Sequence, residues 1–135
     1  MDAKQEAEIL GMKDAWYAAL NAMLEGDPGP FSEIYSHAED ATYLSAMGSI
    51  CIGWNNIWKD WQQQARDSRG GFTEEIESHI HMIGDVAVIH SLGRALLKED
   101  TGAEGEHQVR ETSVLHRDSG QWKIVAHHAD ALLPR

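Results

Sequence analysis

The stretch Glu106–Asp130, EHQVRETSVLHRDSGQWKIVAHHAD, decides the fold. Two runs of alternating apolar and polar residues flank Asp118-Ser119-Gly120, which is the pattern of a β-hairpin. The last strand ends in His127-His128-Ala129-Asp130, three titratable side chains in four residues. With Ser119-Gly120 as a two-residue turn, Leu115 meets Ile124, Ser113 meets Ala126 and Glu111 meets His128 on one face. The other face carries Val114/Val125, Thr112/His127 and His116/Lys123. This register sends His128 and Asp130 to the side of Glu111, and His127 to the opposite side. Because strand side chains alternate, a slip of one residue exchanges the faces.

Outward from the hairpin, the period of two extends back to Phe72. It predicts strands over Thr73–Ile83, Val86–Lys98, Glu106–Arg117 and Gln121–Leu132, with Lys98–Gly105 as a polar, solvated loop. Gly84-Asp85 is short enough for a two-residue type II′ turn. It pairs Ile83 with Val86, Met82 with Ala87, His81 with Val88, Ile80 with Ile89, and His79 with His90. Upstream the period changes. Ile9, Met12, Trp16, Leu20 and Met23 recur at helical steps over Asp2–Glu25, and Asp2 with Gln5 forms a capping box. A short helix is expected at Phe31–Tyr35, short strands at Asp40–Ala46 and Ile50–Ile52, and a second amphipathic helix at Trp54–Asp67. In that helix Trp54, Ile57, Trp58, Trp61 and Ala65 share one stripe. Helices first and a meander of long strands last is the α+β pattern, and 135 residues fit one domain, 1–135.

The chain carries 11 basic against 22 acidic residues, a formal net charge of −11. Such a surface repels nucleic acid and anionic membranes. A single cysteine, Cys51, excludes an internal disulfide and fits a reducing, cytoplasmic setting. The acidic, helical N-terminus does not read as a signal peptide, and no apolar run reaches the ~20 residues that span a bilayer.

Several motifs together resemble a known family. Leu20-Asn21 with Gly26-Asp27, Ile34-Tyr35, Glu39-Asp40-Ala41-Thr42, Gly48, Gly53-Trp54, the run Gly120–Val125 and His128 resemble the SnoaL-like branch of the nuclear transport factor 2-like superfamily. The likeness runs from about Ala7 to Asp130. The segment His79–Asp130 is also similar to the association domain of calcium/calmodulin-dependent kinase II, through His79–Gly84, Glu111-Thr112, His116-Arg117 and Gly120-Gln121-Trp122. The resemblance implies a cone-shaped barrel in which a strongly curved, mostly antiparallel sheet wraps three helices. It also implies a pocket at the wide end and homodimers formed through the outer sheet face. It puts Glu111, Ser113, Leu115, Ile124, Ala126, His128 and Asp130 inside. The association domain's pocket arginines fall at Ser113 and Gly93 here, so an arginine-lined anion pocket is not expected. The ketosteroid isomerases' general base falls at Ser45 and their oxyanion tyrosine near Ala19, so that reaction is not expected either.

Two functions follow, since fold alone does not choose between them. The first is a cofactor-independent, metal-free acid/base enzyme acting on a small, largely apolar substrate. His128 would be the base, oriented by Glu111, with Asp130 as a second acid or base. Trp16, Tyr17, Tyr43, Ser45, Trp54, Trp58 and Ser113 would line the ligand site. The alternative is a non-catalytic ligand-binding or oligomerisation module, in which the tryptophans are core and Glu111 is a satisfied cross-strand partner. His79, His81, His90 and His116 share the outer face. They read as an interface or surface face that happens to be histidine-rich, and of two functional readings a pH-sensitive dimer stands ahead of a metal site.

Overall fold

A computed structural model of the chain describes residues 1–99, 101–102 and 104–133, so the polar loop Lys98–Gly105 falls partly outside the described residues. Helix α1 spans Ala3–Leu24. Its capping box forms: the Asp2 carboxylate accepts from the Gln5 N–H at 2.8 Å, and the Gln5 side-chain oxygen accepts from the Asp2 N–H at 3.1 Å. Helix α2 is Gly29–Ile34, starting earlier than the sequence suggests because Pro30 fits the first turn. Strands β1 (Thr42–Leu44) and β2 (Ile50–Ile52) precede helix α3 (Trp54–Asp67). Four long strands follow: β3 (Gly71–Ile83), β4 (Val86–Lys98), β5 (Glu104–Asp118) and β6 (Gln121–Ala131).

The six strands form one sheet in the order β2-β1-β6-β5-β4-β3. All neighbours are antiparallel except β1 and β6, which run parallel. The α+β architecture expected from the sequence is thus present, with the sheet left open between its edges β2 and β3. The helices cover one face. Their buried residues, with Ala87, Ile89, Leu115 and Ile124 of the sheet, form one core. Trp61 lies at its centre, fully buried and stacked on Phe31 at 3.8 Å. Each such side chain removed from water stabilises the fold by about 1.5–3 kcal/mol.

The first hairpin pairs as the sequence predicts, from Ile83↔Val86 to His79↔His90, and Gly84 takes the positive φ of 58° that a type II′ turn requires. The second begins as predicted. Ser119 and Gly120 both have positive φ, and His116↔Lys123 and Leu115↔Ile124 form. The register then shifts. Val114 pairs with Ala126, leaving Val125 as a β-bulge. Beyond it Ser113 faces His127, Thr112 faces His128, and Glu111 faces Ala129. The expected pairs Ser113/Ala126, Thr112/His127, Glu111/His128 and Val114/Val125 are therefore corrected. The unbulged strand would turn Asp130 inward, and burying a carboxylate without partners is costly. The bulge turns His127 and Ala129 inward and leaves His128 and Asp130 in solvent.

Candidate functional site

On β5 the Glu111 side chain points at α1 and is 9% exposed. Tyr17 donates its hydroxyl to Oε2 at 2.8 Å, and Trp16 donates Nε1–H to Oε1 at 3.2 Å. These two donors are neighbours on the inward side of α1, so the helix delivers both to one carboxylate. Burial pushes the Glu111 pKa up, while the Tyr17 and Trp16 hydrogen bonds act against that rise. Burial, then the charge of Glu111, raises the Tyr17 pKa, so its phenol remains a donor.

His127, not His128, is the imidazole of this cluster. Its side chain is 1% exposed, against 58% for His128. Its Nδ1 shares a 2.8 Å hydrogen bond with Ser113 Oγ, and its Nε2 lies 3.7 Å from Glu111 Oε1. The ring packs against Trp16 at 4.2 Å and Tyr43 at 5.9 Å. Burial, with a smaller contribution from nearby His128, lowers the His127 pKa to about 3. The imidazole is therefore neutral at physiological pH. A base so weak contributes little to proton transfer near pH 7.

The space beside Glu111 is small. Met12, Lys13 and Trp16 of α1 and Ser91, Glu111 and Ser113 of the sheet enclose it with apolar neighbours. The cavity volume is ≈ 10 Å³, room for about one water molecule. Lys13 bonds Glu75 of β3 beside it. Gly93 explains how the missing arginine's place is filled. A Cβ on Gly93 would come within 2.9 Å of Tyr17 Oη and 3.4 Å of Glu111 Oε2. The glycine thus makes room for the Tyr17–Glu111 bond.

The remaining expected site residues are dispersed. His128 and Asp130 bond each other at 2.6 Å on the solvent side of β6, away from Glu111. This placement corrects the expected Glu111–His128 pair. Ser45 is buried, and its hydroxyl accepts from the N–H groups of Met47 and Ser49 to hold the β1–β2 turn. Tyr43 accepts from Gln64 at 3.2 Å within the core. Trp54 and Trp58 stack on each other at 5.4 Å, and Trp54 stacks on His37 at 4.0 Å. None of these four lines the Glu111 cavity. Trp16, Tyr17 and Ser113 do belong to the cluster. Sequence reasoning missed His127, Ser91 and Lys13. The bulge that selects His127 has no residue signature, whereas the helical spacing of Lys13 and Trp16 was visible.

The outer face is a second cluster. One line across β3–β6 reads His79, His90, Thr112, His128. The adjacent line reads His81, Val88, Val114, Ala126. His90 Nδ1 bonds Thr112 Oγ1 at 2.9 Å, and the His81 and His90 rings lie 5.9 Å apart. Among the described residues no three His, Cys, Asp or Glu side chains gather as a metal-ligand set. No helix there is long and apolar enough to cross a membrane.

Three helices on one face of an open, mostly antiparallel sheet, packed over a buried carboxylate, form an α+β domain with the nuclear transport factor 2-like, cystatin-like fold. Residues 5–132 match the calcium/calmodulin dependent protein kinase II association domain, and the chain belongs to that family. Solved structures share the fold. A candidate dehydratase of the nuclear transport factor 2-like family from Streptomyces avermitilis superposes with a TM-score of 0.85 at 17% identity, over 98% of this chain and 100% of that one. A nuclear transport factor 2-like protein of unknown function from Pseudomonas putida gives 0.83 at 20% identity, covering 99% and 91%. The association domain of the C. elegans kinase gives 0.73 at 17% identity, covering 96% and 99%.

Proposed function

We propose that this chain is a non-catalytic self-association module that pairs with a second copy through the outer face of β3–β6. The observation that carries this reading is the ≈ 10 Å³ cavity beside Glu111. A substrate pocket is usually about 300–1,000 Å³; a space of that size, ≈ 400 Å³ beside Glu8, Met12, Gln121 and Trp122, is an open depression away from Glu111 and His127. The polar atoms around the cavity are spent on one another: Tyr17 and Trp16 on Glu111, Ser113 on His127. An acid/base enzyme would need both an open site and a base titrating near neutral pH, and His127 supports neither requirement. Membership of an association-domain family supports the same reading.

The outer face has the size and composition for this role. Between Val86/His116 and Leu96/Glu106 it presents six successive outward pairs on β4 and β5. Six positions on each of β3, β4 and β5 and four on β6, spaced by ~4.8 and ~6.7 Å, cover about 700 Å², within the range of one side of a standard interface. A chain of net charge −11 repels its own copy. The two lines through His81–Ala126 and His79–His128 hold no Asp, Glu, Lys or Arg, so self-contact costs least there. We place the module in the reducing cytoplasm, on the ground of its lone, half-buried Cys51.

Sedimentation equilibrium at micromolar concentration and pH 7.5 tests the proposal. A dimer or a larger assembly is expected, and Val88→Glu with Val114→Glu is expected to convert it to monomer without unfolding. A monomeric parent protein overturns the reading. Saturable binding of a small carbonyl or hydroxy compound with turnover would restore the enzymatic one.

A further inference from the structure

We infer that the two histidines without carboxylate partners on the outer sheet face, His81 and His90, make this self-contact proton-gated: closed at neutral pH and opened by mild acid. The inference rests on the self-association reading above and adds how that contact is controlled. Imidazole is the side chain that gains charge between pH 8 and 5, with an ordinary pKa of ~6.5. The outer face carries His79, His81, His90 and His128 on two adjacent lines. They are not equivalent. His79 is bonded to Glu77 at 2.6 Å, and His128 to Asp130 at 2.6 Å. A proton taken up by either is balanced within the same copy. His81 and His90 have no acidic partner among the described residues; His90 bonds the Thr112 hydroxyl, and the rings of the two lie 5.9 Å apart.

The other charged groups on the face lie toward its ends. On the next line toward the far end of the sheet β3 brings Glu77, β5 brings Arg110 and β6 brings Asp130. Beyond that line β4 brings Arg94, bonded by Glu74 of β3 at 2.9 Å and Glu106 of β5 at 3.4 Å. Toward the hairpin turns, β5 brings His116 and β6 brings Lys123, paired side by side. The carboxylates nearest His81 and His90 are thus already engaged by His79, His128 or arginines. An isologous contact repeats every group twice. Charging His81 and His90 places four cations without a carboxylate partner at the centre of the contact, on lines whose other residues are His79, Thr112, His128, Val88, Val114 and Ala126. Removing such charges from water costs far more than leaving them in solvent, so the protonated face separates. Because proton uptake by four groups is linked to dissociation, association weakens on the order of 10²-fold between pH 7.5 and 5.5. His127 stays neutral throughout that range and faces the core, so it does not contribute.

The experiment is sedimentation equilibrium of the full chain and of the His81→Gln/His90→Gln variant, each at pH 7.5 and 5.5. Near-ultraviolet circular dichroism is recorded on the same samples. The expected result is a dimer at pH 7.5 for both, a Kd at least about 100-fold weaker at pH 5.5 for the parent, and less than a tenfold change for the variant. An unchanged parent Kd at pH 5.5 overturns the gate and leaves the self-association reading standing. Equal weakening of parent and variant overturns the assignment to His81 and His90. Loss of the dichroism signal at pH 5.5 in both would attribute dissociation to unfolding and also overturn the gate. A parent protein that is monomeric at pH 7.5 removes the self-association reading and the gate together.

Discussion

His127 and His128 are adjacent in sequence and belong to opposite environments. His127 is sealed between Trp16 and Tyr43, bonded to Ser113, and held neutral by burial. His128 stands in solvent, bonded to Asp130. The inner face around Glu111 uses polar groups to satisfy one another in a closed core. The outer face holds its histidines in solvent, His79 bonded to Glu77, His90 to Thr112 and His128 to Asp130. The same residue type thus serves packing on one side of the sheet and meets solvent on the other. What separates the roles is one extra residue, Val125, in the strand between them and the turn.

The most severe way to break this contrast is to delete Val125. The last half of β6 would then exchange faces, driving His128 and Asp130 toward the core and His127 outward. Burying an unpaired charge costs about 3–5 kcal/mol. Urea unfolding should therefore show a protein that has lost most of its stability, and a near-parental midpoint would mean that the bulge does not set the faces.

Next in size is the carboxylate's own support. Tyr17→Phe removes a donor to a buried acid, and Gly93→Ala pushes a methyl into the same bond. Each should cost about 1.5–3 kcal/mol. The double variant should lose less than the sum, because both act on one contact. Strict additivity in chemical denaturation would show that Gly93 serves some purpose other than making room for Tyr17.

The pH dependence of stability sharpens the comparison further. The folded-state pKa of His127 is depressed to about 3 from an ordinary 6.5. Its stabilising contribution is complete above ~6.5 and declines as pH falls toward 3, by up to ~1.4 kcal/mol per unit, because the unfolded chain binds the extra proton. Glu111 has the opposite sign. Its raised pKa favours the folded state below the ordinary carboxylate range, and that contribution is lost as pH rises through its folded value. Above the ordinary carboxylate range and below 6.5 the two contributions oppose each other, and removing the histidine isolates its share. The His127→Gln protein should show a flatter profile of unfolding free energy there, and an unchanged slope would move the proton uptake to another group.

The smallest expected effect is at His128. His128→Gln should change monomer stability by no more than about 0.5 kcal/mol, as for other exposed substitutions. A loss approaching that of His127→Gln in thermal unfolding would contradict the assigned faces.

Much of this was legible in the residues. The capping box Asp2/Gln5, the stripe of α3, the positive-φ turns at Gly84 and Ser119-Gly120, and the first five pairs of the β3–β4 hairpin follow from local rules. Glu111, Trp16, Tyr17 and Ser113, candidate site residues on the sequence alone, lie together in the fold. The partner histidine was not, because alternation counts residues and a bulge changes the count. Residue type alone places Tyr43 and Ser45 toward a ligand, but Gln64 and the β1–β2 turn claim their polar atoms. Those claims come from residues distant in sequence or from a turn conformation that periodicity does not encode.

The sequence by itself determined an α+β chain resembling the nuclear transport factor 2-like superfamily, its turns, its helical stripes and its acidic surface. These depend on local backbone preference and on the repeat of apolar side chains. Tertiary structure alone decided which of two adjacent histidines enters the core, and how little space remains beside Glu111. Both depend on how β6 fits between β5 and β1, and on the three helix side chains, Met12, Lys13 and Trp16, that fill the remaining volume. Packing of that kind is a property of the whole assembled core rather than of any one segment.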